Sequence, residues 1–454
     1  MPLDLILTNA RIIDVESGNI QANQSIGIAA DRIKIVKAAL DPDDFSDPVV
    51  VDLDGKYVMP GLWDMHVHLR GGDKLIRENE SFLGLFLANG VTGIRDAGGD
   101  MTHAILTWRK DIGQKRLLGP QIFTAGPKFD GPDPSWPGSI EVENRSQIQA
   151  GLDSLKAMGG IDFIKVYDSK ISRENYLAVL EEAEKRNFLT SGHMPHTVRL
   201  MEAVGSGLDA VEHLFPILQA CSPEEERIVQ DHLSGRKTSF FEALTRFSEH
   251  QAPALQSQVF AQLAERGTAV IPTLFVSQLV YRLDSEPHGH EPELMYIPPA
   301  IRETYRGREE SARRRPPEIN ERMHKVLDQF MGMVAPLKQA NVRILAGSDC
   351  GAYNSYVFPG FSLHDELALL VEAGLSPLEA LQAATIEGAR FMGREADFGS
   401  LAEGKMADMV VLSRNPLEDI QATRDIEAVI RQGVLHDRYT LDDLLKEREN
   451  WLDK

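Results

Sequence analysis

The chain has 454 residues, of which 43% are hydrophobic and 26% are charged. This composition is sufficient for a folded protein with a sizeable core, and the length favours one large domain with a smaller companion. The formal net charge of −20 disfavours non-specific binding to nucleic acid or to an anionic membrane, because the general field repels phosphate. We therefore expect neither a nucleic acid nor a membrane as a partner.

Cysteine usage and the first residues predict a cytoplasmic protein. Cys221 and Cys350 lie far apart in the sequence and cannot supply a disulfide framework. The chain begins without the basic segment and the long apolar run of a secretory signal. No apolar stretch approaches the ~20 residues that a membrane-spanning helix needs.

The predicted elements change character near residue 58. Residues 1 to 58 read as short strands, because runs rich in Val and Ile end at turn residues. From 59 to 398 short apolar runs alternate with helical segments, which indicates βα units and a parallel sheet. Eight of these runs are strand-like, and eight is the number of strands that closes a TIM barrel. They span residues 61–69, 91–97, 121–126, 162–167, 188–193, 208–214, 268–274 and 342–349.

Strand character returns after residue 398, in residues 405–416 and 426–436, and residues 441–454 are predicted to form a helix. The predicted fold class is therefore α/β, with a (β/α)8 TIM barrel over residues 59–398. A small discontinuous β-sandwich domain would be built from residues 1–58 and 399–454, the terminal helix included. The longest insertions precede and follow strand seven, and the second, which contains residues 313–317, could form a lid.

The first candidate site motif is His66-Val-His68, at the end of the first predicted barrel strand. Side chains alternate along a strand, so the two imidazoles point to the same side. Both can then bind one metal, at roughly 2.0–2.1 Å for zinc. This pattern alone is weakly specific, but its position at the carboxyl end of a barrel strand favours a site, because barrel catalysis takes place there.

The second candidate is Lys165, in the middle of the fourth predicted barrel strand. A bare ammonium inside a closed barrel is costly. Two interpretations are open on the local residues: a lysine that reaches solvent or pairs with a carboxylate, and a neutral amine that captures CO₂. The resulting carbamate would be an anionic bridge between two metals.

Three further residues each stand at a strand end: His193, His213 and Asp349. Each alone has an ordinary explanation, either a hydrogen-bonded histidine or a loop-capping aspartate. Together with the preceding motifs, however, strands one, four, five, six and eight would place nitrogen or oxygen donors at the same end of the barrel. Two divalent cations facing a carbamate, a carboxylate and a hydroxide would leave the site with a charge of about +1, which favours a metal centre.

The order His-x-His, Lys, His, His, Asp across eight βα units resembles the amidohydrolase superfamily, in its binuclear, carboxylated-lysine branch. Residues 91–99, 363–393 and 401–412 extend the resemblance over nearly the whole chain. Within the superfamily the chain is most similar to the group related to imidazolonepropionase and to Xaa-Pro and Xaa-Arg dipeptidases. Those dipeptidases usually carry a Gly-rich segment after the bridging lysine, and residues 168–172 here depart from it, which disfavours dipeptide specificity.

The resemblance implies two divalent metal ions, zinc by expectation, with manganese, iron or cobalt as alternatives. His66, His68 and Asp349 would hold the more buried ion, His193 and His213 the more exposed one, and Lys165, as a carbamate, would bridge them. A metal-bridging hydroxide would attack the C–N bond of an amide, peptide, urea or carbamate. Asp349 would act as general base and then as general acid. A small-molecule substrate and a homo-oligomeric enzyme are also implied.

Four weaker candidates surround this set. Tyr167 could donate to the developing oxyanion, although a core tyrosine is the commoner role. Asp96 could contact and orient one of the metal ligands, or could form a salt bridge with Arg95 or another arginine. His196 and His364 could contact substrate, or could be solvated loop histidines.

Several functions remain open at this point. A dipeptidase and an aryl-urea or carbamate hydrolase would use the same ligands. A mononuclear deaminase is disfavoured, because such enzymes place a glutamate soon after the fifth-strand histidine, and the first acid after His193 is Glu202. A non-catalytic scaffold is disfavoured, because this chain retains every predicted ligand.

Overall fold

The computed structural model describes residues 2–284 and 287–449. Its strands, numbered in chain order, are β1 (Leu5–Ile13), β2 (Ile20–Ala29), β3 (Arg32–Lys37), β4 (Val49–Asp52), β5 (Tyr57–Pro60), β6 (Leu62–His68), β7 (Val91–Asp96), β8 (Gln121–Thr124), β9 (Phe129–Asp130), β10 (Ile140–Glu141), β11 (Phe163–Val166), β12 (Leu189–Gly192), β13 (Ala210–Glu212), β14 (Ala269–Ile271), β15 (Cys350–Gly351), β16 (Met409–Leu412), β17 (Ile426–Arg431) and β18 (Val434–Asp437).

The α-helices are α1 (Ile76–Ala88), α2 (Thr102–Gly113), α3 (Arg145–Met158), α4 (Arg173–Glu184), α5 (Leu200–Gly205), α6 (Phe215–Ala220), α7 (Glu225–Leu233), α8 (Phe240–Glu249), α9 (Pro253–Arg266), α10 (Leu274–Arg282), α11 (Pro299–Glu303), α12 (Arg306–Arg314), α13 (Pro317–Gln339), α14 (Phe361–Glu372), α15 (Pro377–Ala383), α16 (Ile386–Phe391) and α17 (Arg438–Glu449). Short 3₁₀ helices span Pro42–Asp44, Asp73–Leu75, Pro292–Tyr296 and Ile420–Arg424.

The two ends of the chain build one β domain, as predicted. Strands β1 to β5 and β16 to β18 form an eight-stranded sheet in the order β18-β17-β16-β5-β1-β2-β3, with β4 paired to β1. Antiparallel pairing of β16 with β5, which sets Val411 opposite Val58, joins the two ends. Apolar side chains such as Leu7, Ile28 and Met409 form a separate core there. Burial of these residues favours the return of the carboxyl end of the chain to this sheet.

The parallel strands between these ends lie in two sheets, β15-β6-β7-β8 and β10-β9-β11-β12-β13-β14. Single backbone contacts connect the edges of these two sheets. The amide of Asp162 donates to the carbonyl of Thr124 at 2.9 Å, and Val270 pairs with Ile344. No continuous closed ladder runs through the described residues. The sequence of parallel strands and covering helices is nevertheless that of the predicted TIM barrel fold.

The eighth predicted strand is less regular than expected. Residues 342–349 are extended, but their backbone groups alternate between partners, with Leu345 donating to Val270 and Ala346 donating to Ala383 at the end of α15. The following β15 pairs in parallel with β6. A helix end therefore takes some of the hydrogen bonds that a neighbouring strand would otherwise receive, because every buried amide needs an acceptor.

The two predicted insertions are helical. Helices α6 to α9 lie between β13 and β14, and α10 to α13 lie between β14 and β15. The predicted lid residues 313–317 form the end of α12 and the start of α13, where Arg315 donates to the carbonyl of Val280. The predicted terminal helix is α17, and residues 450–454 of that prediction lie outside the described residues. No described helix is both long and apolar enough to cross a membrane.

Candidate active site

The six predicted ligands stand at the carboxyl ends of barrel strands. His66 and His68 lie on β6 and Lys165 lies on β11, in strands whose described side chains are all buried. His193 and His213 directly follow β12 and β13, and Asp349 directly precedes β15. This is the end of the barrel at which active sites form, because the loops that follow the strands open there.

His66, His68 and Asp349 form a compact group. The Nε2 atom of His66 lies 3.3 Å from Nε2 of His68 and 3.5 Å from Oδ1 of Asp349, and the distance from His68 Nε2 to that oxygen is 3.2 Å. Their ligand atoms all lie within 4.8 Å of one another, and all three residues are buried. Two imidazoles and a carboxylate are a common ligand set for a divalent transition metal, so this group could hold one.

His193 and His213 form a second group on the neighbouring strands. Their Nε2 atoms lie 3.0 Å apart, and the ring centroids are separated by 4.8 Å. The ring of His213 also lies 5.1 Å from that of His66. The two groups of ligands therefore adjoin, as a binuclear site requires.

The partners of the other ring nitrogens determine where the histidine protons sit. Nδ1 of His68 lies 3.3 Å from the carbonyl of Gly98, which can only accept. Nδ1 of His213 lies 2.6 Å from the hydroxyl of Thr273, whose single proton is donated to the carbonyl of Pro272. These contacts favour the tautomer with the proton on Nδ1, which leaves a free lone pair on Nε2 of both histidines.

His193 has a similar arrangement, in which a carboxylate lies next to its Nδ1 atom. Its Nδ1 atom lies 3.4 Å from Oδ1 of Asp168, which favours a proton on Nδ1. Nε2 of His193 then faces Nε2 of His213 with no proton between them. Two lone pairs at 3.0 Å repel each other unless a cation lies between them, so this pair has the arrangement of metal ligands.

The backbone is strained where the ligands are presented. His213, Thr273 and Asp349 are left-handed, with φ of 63°, 47° and 59°. Non-glycine residues adopt this conformation at a cost, and it clusters at functional sites. The neighbouring Gly351 allows the close approach of β6, because a Cβ at this residue would meet the carbonyl oxygen of His68 at 2.1 Å.

Lys165 contacts a residue that the sequence analysis did not identify, Glu212 on β13. Both side chains are fully buried, and Nζ of Lys165 is in direct contact with Oε2 of Glu212. Glu212 also accepts a hydrogen bond from Ser191 at 2.8 Å and lies 3.4 Å from Arg95. The available signal was a carboxylate directly before His213 in an otherwise apolar run.

Burial dominates the electrostatics of the ligands. It lowers the pKa of Lys165 well below its ordinary value, with Lys128 and Arg95 adding repulsion. It also lowers the pKa of His66, His68 and His193 well below the usual value, and that of His213 to about 3. Neutral imidazoles are the form that binds a metal, so the site favours coordination at neutral pH.

Three of the weaker candidates lie around this site. The Tyr167 ring lies 4.6 Å from that of His193. Asp96 accepts hydrogen bonds from the Leu69 amide and the Thr124 hydroxyl, and so it fixes the segment after β6. In the described part of the chain, Asp96 forms no ion pair with an arginine. Nδ1 of His196 lies 3.2 Å from Oε1 of Gln219.

The prediction that His364 contacts substrate is wrong. His364 is buried on α14, and its two ring nitrogens contact the hydroxyl of Thr423 and the carbonyl of Asn89. Asn89 precedes β7, so His364 lies at the amino end of that strand, opposite the end that carries the ligands. His364 therefore connects α14 to Thr423 and Asn89 and has a structural role, which its position in the sequence did not indicate.

Beside the ligands lies a cavity of about 310 Å³. Its wall includes two buried cations, Arg70 and Lys128, and the aromatic rings of Trp136 and Tyr353. Trp136 also contacts Tyr167, whose ring reaches His193, so aromatic contacts connect the cavity to the ligands.

Comparison with known proteins agrees with this geometry. Residues 312–435 match the model of the Amidohydrolase family. The ochratoxinase of Aspergillus niger is 23% identical over 427 residues, covering 82% of this chain and 73% of that protein. The imidazolonepropionase of Symbiobacterium thermophilum is 44% identical over 71 residues, which is 15% of this chain and 16% of that protein.

Solved structures share the fold over almost the whole length. A bottromycin amidohydrolase superposes with a TM-score of 0.75 at 24% identity, over 98% of this chain and 89% of that one. A Xaa-Pro dipeptidase with bound methionine superposes with a TM-score of 0.68 at 21% identity, over 95% and 99% of the two chains. The family match covers residues 312–435, and the solved structures share the fold of the whole chain, so these findings support the predicted similarity to the amidohydrolase superfamily.

Proposed function

We propose that this chain is a binuclear, metal-dependent hydrolase of an amide or peptide bond, in the carboxylated-lysine branch of its superfamily. One observation carries the proposal: Nδ1 of His68, His193 and His213 each lies within 3.4 Å of a protein oxygen, and Nε2 of each faces another candidate ligand. Metal-binding histidines have this arrangement, because the outer acceptor fixes the tautomer.

The remaining groups at the site also fit two divalent cations. Nδ1 of His66 is buried and has no hydrogen-bond partner in the described chain, and Nζ of Lys165 is buried against Glu212. Four imidazoles with one carboxylate suit zinc, and also manganese, iron or cobalt. Bound in such a site, divalent metals lower the pKa of water to about 7 and polarise a carbonyl oxygen. His66, His68 and Asp349 would hold one ion, and His193 and His213 the other.

Lys165 would bridge the two ions as a carbamate. Its depressed pKa supplies the neutral amine, whose nitrogen can attack the carbon of CO₂. The new N–C bond gives an anionic carbamate and releases one proton. Glu212 contacts the amine and can accept that proton, and Arg95 offsets the remaining negative charge.

Asp349 would transfer the proton during hydrolysis. Its Oδ1 atom accepts from Nδ2 of Asn354 at 2.8 Å and faces Nε2 of both His66 and His68. This fixed carboxylate can take a proton from the attacking water and return it to the leaving nitrogen. Burial raises the pKa of Tyr167 to about 12, so its phenol keeps the proton that it would donate to the developing oxyanion.

The amide or peptide class is favoured over a urea or carbamate by the names of two structural neighbours, an amidohydrolase and a dipeptidase. Xaa-Pro or Xaa-Arg dipeptidase activity remains an alternative, as does an aryl-urea or carbamate hydrolase. A cytoplasmic location, a homo-oligomeric state, a small-molecule substrate and the domain limits 1–58, 59–398 and 399–454 are retained as part of the proposal.

The test is Lys165→Ala against the surface control Lys170→Ala, with both proteins purified after zinc or manganese supplementation. We expect wild type and the control to hold two metal ions per chain by elemental analysis and to hydrolyse members of an amide and dipeptide library. Intact-mass analysis under non-acidic conditions should show one CO₂ adduct in both proteins. Lys165→Ala should lose the adduct, the second ion and nearly all activity.

Two results would contradict the proposal. Full activity of Lys165→Ala with one metal, accompanied by ammonia release from an aminated heterocycle, would indicate a mononuclear deaminase. Wild-type protein that binds almost no metal even under supplementation would indicate a scaffold without catalytic function.

A further inference from the structure

Three cations converge beside the ligands, and the nearby carboxylates, Asp349 among them, attract these cations only from beyond ion-pair distance. Arg70 follows β6, Lys128 precedes β9, and Arg308 lies on α12 in the insertion before residue 342. Arg70 and Lys128 are 4% and 1% exposed. Throughout residues 2–284 and 287–449, none of the three forms an ion pair with a carboxylate. Buried cations without a paired anion are costly, so such a cluster indicates an anion-binding site.

The two guanidinium groups share one weak acceptor. Nη2 of Arg308 donates to Oδ1 of Asn354 at 2.7 Å, and Nη2 of Arg70 donates to the same oxygen at 3.2 Å. Nε of Arg70 donates to the carbonyl of Ala352. A neutral amide oxygen satisfies hydrogen bonds but carries no charge, so only the attraction by carboxylates such as Asp349 opposes the repulsion between the guanidinium groups.

Arg308 has a hydrogen-bond donor that no described protein atom accepts. Its Nη1 atom is buried and has no hydrogen-bond partner in the described chain. Buried polar atoms in folded proteins are almost always satisfied, by protein, by water or by a ligand. An unpartnered guanidinium nitrogen beside a second guanidinium is an observation, independent of the charge, that points to a bound anion.

The aromatic rings of the cavity complete the subsite. The Trp136 ring lies 4.1 Å from the guanidinium carbon of Arg70 and 4.7 Å from Nζ of Lys128. Such contacts hold the cations in place without neutralising them. Asp100 also lines the cavity, but its carboxylate accepts from the amide of Gly71 and forms no described ion pair with the three cations.

The cluster adjoins the proposed reaction centre through Asn354. The side-chain amide of Asn354 accepts from both arginines and donates to Oδ1 of Asp349 at 2.8 Å. Arg70 lies two residues after His68 on the same segment. An anion held by the cluster is therefore next to the carboxylate that would move the proton.

We propose that Arg70, Lys128 and Arg308 bind a carboxylate of the substrate, so that the enzyme acts on N-acyl amino acids or similar amides with a free carboxylate near the scissile bond. This inference rests on the proposed function for the bond that is cleaved. The planar fork of a guanidinium matches a carboxylate, which makes Arg308 the specificity-determining residue contributed by the insertion. Neutral amides and aryl carbamates would leave the three cations unpaired.

The binding test separates recognition from catalysis by using metal-free protein. Titration calorimetry in the presence of chelator compares N-benzoylglycine and N-benzoylphenylalanine with their neutral primary amides. Wild type should bind each acid at least about 10-fold more tightly than the matching amide, because a hydrogen bond to a charged group contributes more than a neutral one. Arg308→Met and Lys128→Met should each abolish most of that preference.

Arg313→Met, on the exposed face of α12, is the matched control and should keep the full preference. Thermal unfolding of all variants reports whether each one folds. The metal-loaded enzyme then gives kcat/KM for the same acids and amides. We expect the ratio of acid to amide to fall about 10- to 100-fold in Arg308→Met, chiefly through KM.

Equal binding of acids and amides to wild type, or an unchanged preference in folded Arg308→Met and Lys128→Met, would overturn the inference. Failure of the proposed function looks different. In that case metal-free protein still prefers the acids, but the loaded enzyme cleaves no C–N bond. Cleavage of neutral amides in preference to acids would retain the proposed function and refute the carboxylate subsite.

Discussion

The amine of Lys165 and the carboxylate of Glu212 are in direct contact inside the barrel, and neither side chain is exposed to solvent. The two residues lie on β11 and β13, separated by β12, whose Ser191 donates to the same carboxylate. The lysine proposed to carry CO₂ is therefore held in its unmodified form by a carboxylate, and Arg95 contacts that same carboxylate. Glu212 thus connects folding of the barrel with modification of Lys165.

Glu212→Gln should destabilise the metal-free protein by about 3 kcal/mol, because loss of one partner leaves the other buried charges uncompensated. Urea unfolding in the presence of chelator measures this change. The double variant Lys165→Met/Glu212→Gln is the control, and it should recover part of the loss by removing the amine as well. A Glu212→Gln protein as stable as wild type would show that the carboxylate does not support the buried lysine.

Thr273→Val should weaken metal binding by about 10- to 100-fold, because the hydroxyl that orients the Nδ1–H of His213 disappears while side-chain shape is retained. Valine is also β-branched, so the left-handed backbone at residue 273 costs a similar amount in both proteins. Competition with a chelator gives the affinity. Thr107→Val, an exposed site on α2, should bind metal like wild type, and equal affinities for all three proteins would contradict the tautomer argument.

His193→Ala should reduce metal content from about two ions per chain to about one, because only the group that includes His213 loses a ligand. His66→Ala should remove the other ion, which depends on His68 and Asp349. Elemental analysis after gel filtration measures both. The exposed His103→Ala is the control, and identical metal content in all variants would show that these histidines are not ligands.

Glu366 should make stability depend on pH. Burial raises its pKa to about 8, against accepted hydrogen bonds from the amides of Phe275 and Leu274. Because the pKa of Glu366 is raised in the folded state, burial of this carboxyl lowers stability little below about pH 4.5. The free energy of unfolding then decreases as the pH rises toward 8. At pH 8.5 the cost of the charge is on the order of 4 kcal/mol.

Glu366→Gln removes that titration and keeps an acceptor for the amide of Phe275. The unfolding free energy of the variant relative to wild type should therefore increase between pH 5 and pH 8.5, in urea titrations at constant ionic strength. A difference that does not change with pH would show that Glu366 is ionised throughout this range.

The sequence by itself determined the parallel strands and the six candidate ligands. Alternation along a strand sets His66 and His68 on one side, and the ends of successive strands meet at one rim, so local pattern was sufficient for these residues. The apolar runs at residues 405–416 and 426–436 likewise predicted the return of the chain to the first β domain. Such features depend on short-range periodicity, which a sequence displays directly.

Only the tertiary structure decided which distant side chains meet. Glu212 reaches Lys165 across an intervening strand, Arg308 reaches Asn354 from a helix of the last insertion, and His364 turns to the opposite end of β7. These contacts depend on the path of the insertions and on the closing of strands around a common axis. Sequence periodicity reports the burial of a residue, whereas its partner is set by packing between segments far apart in the chain.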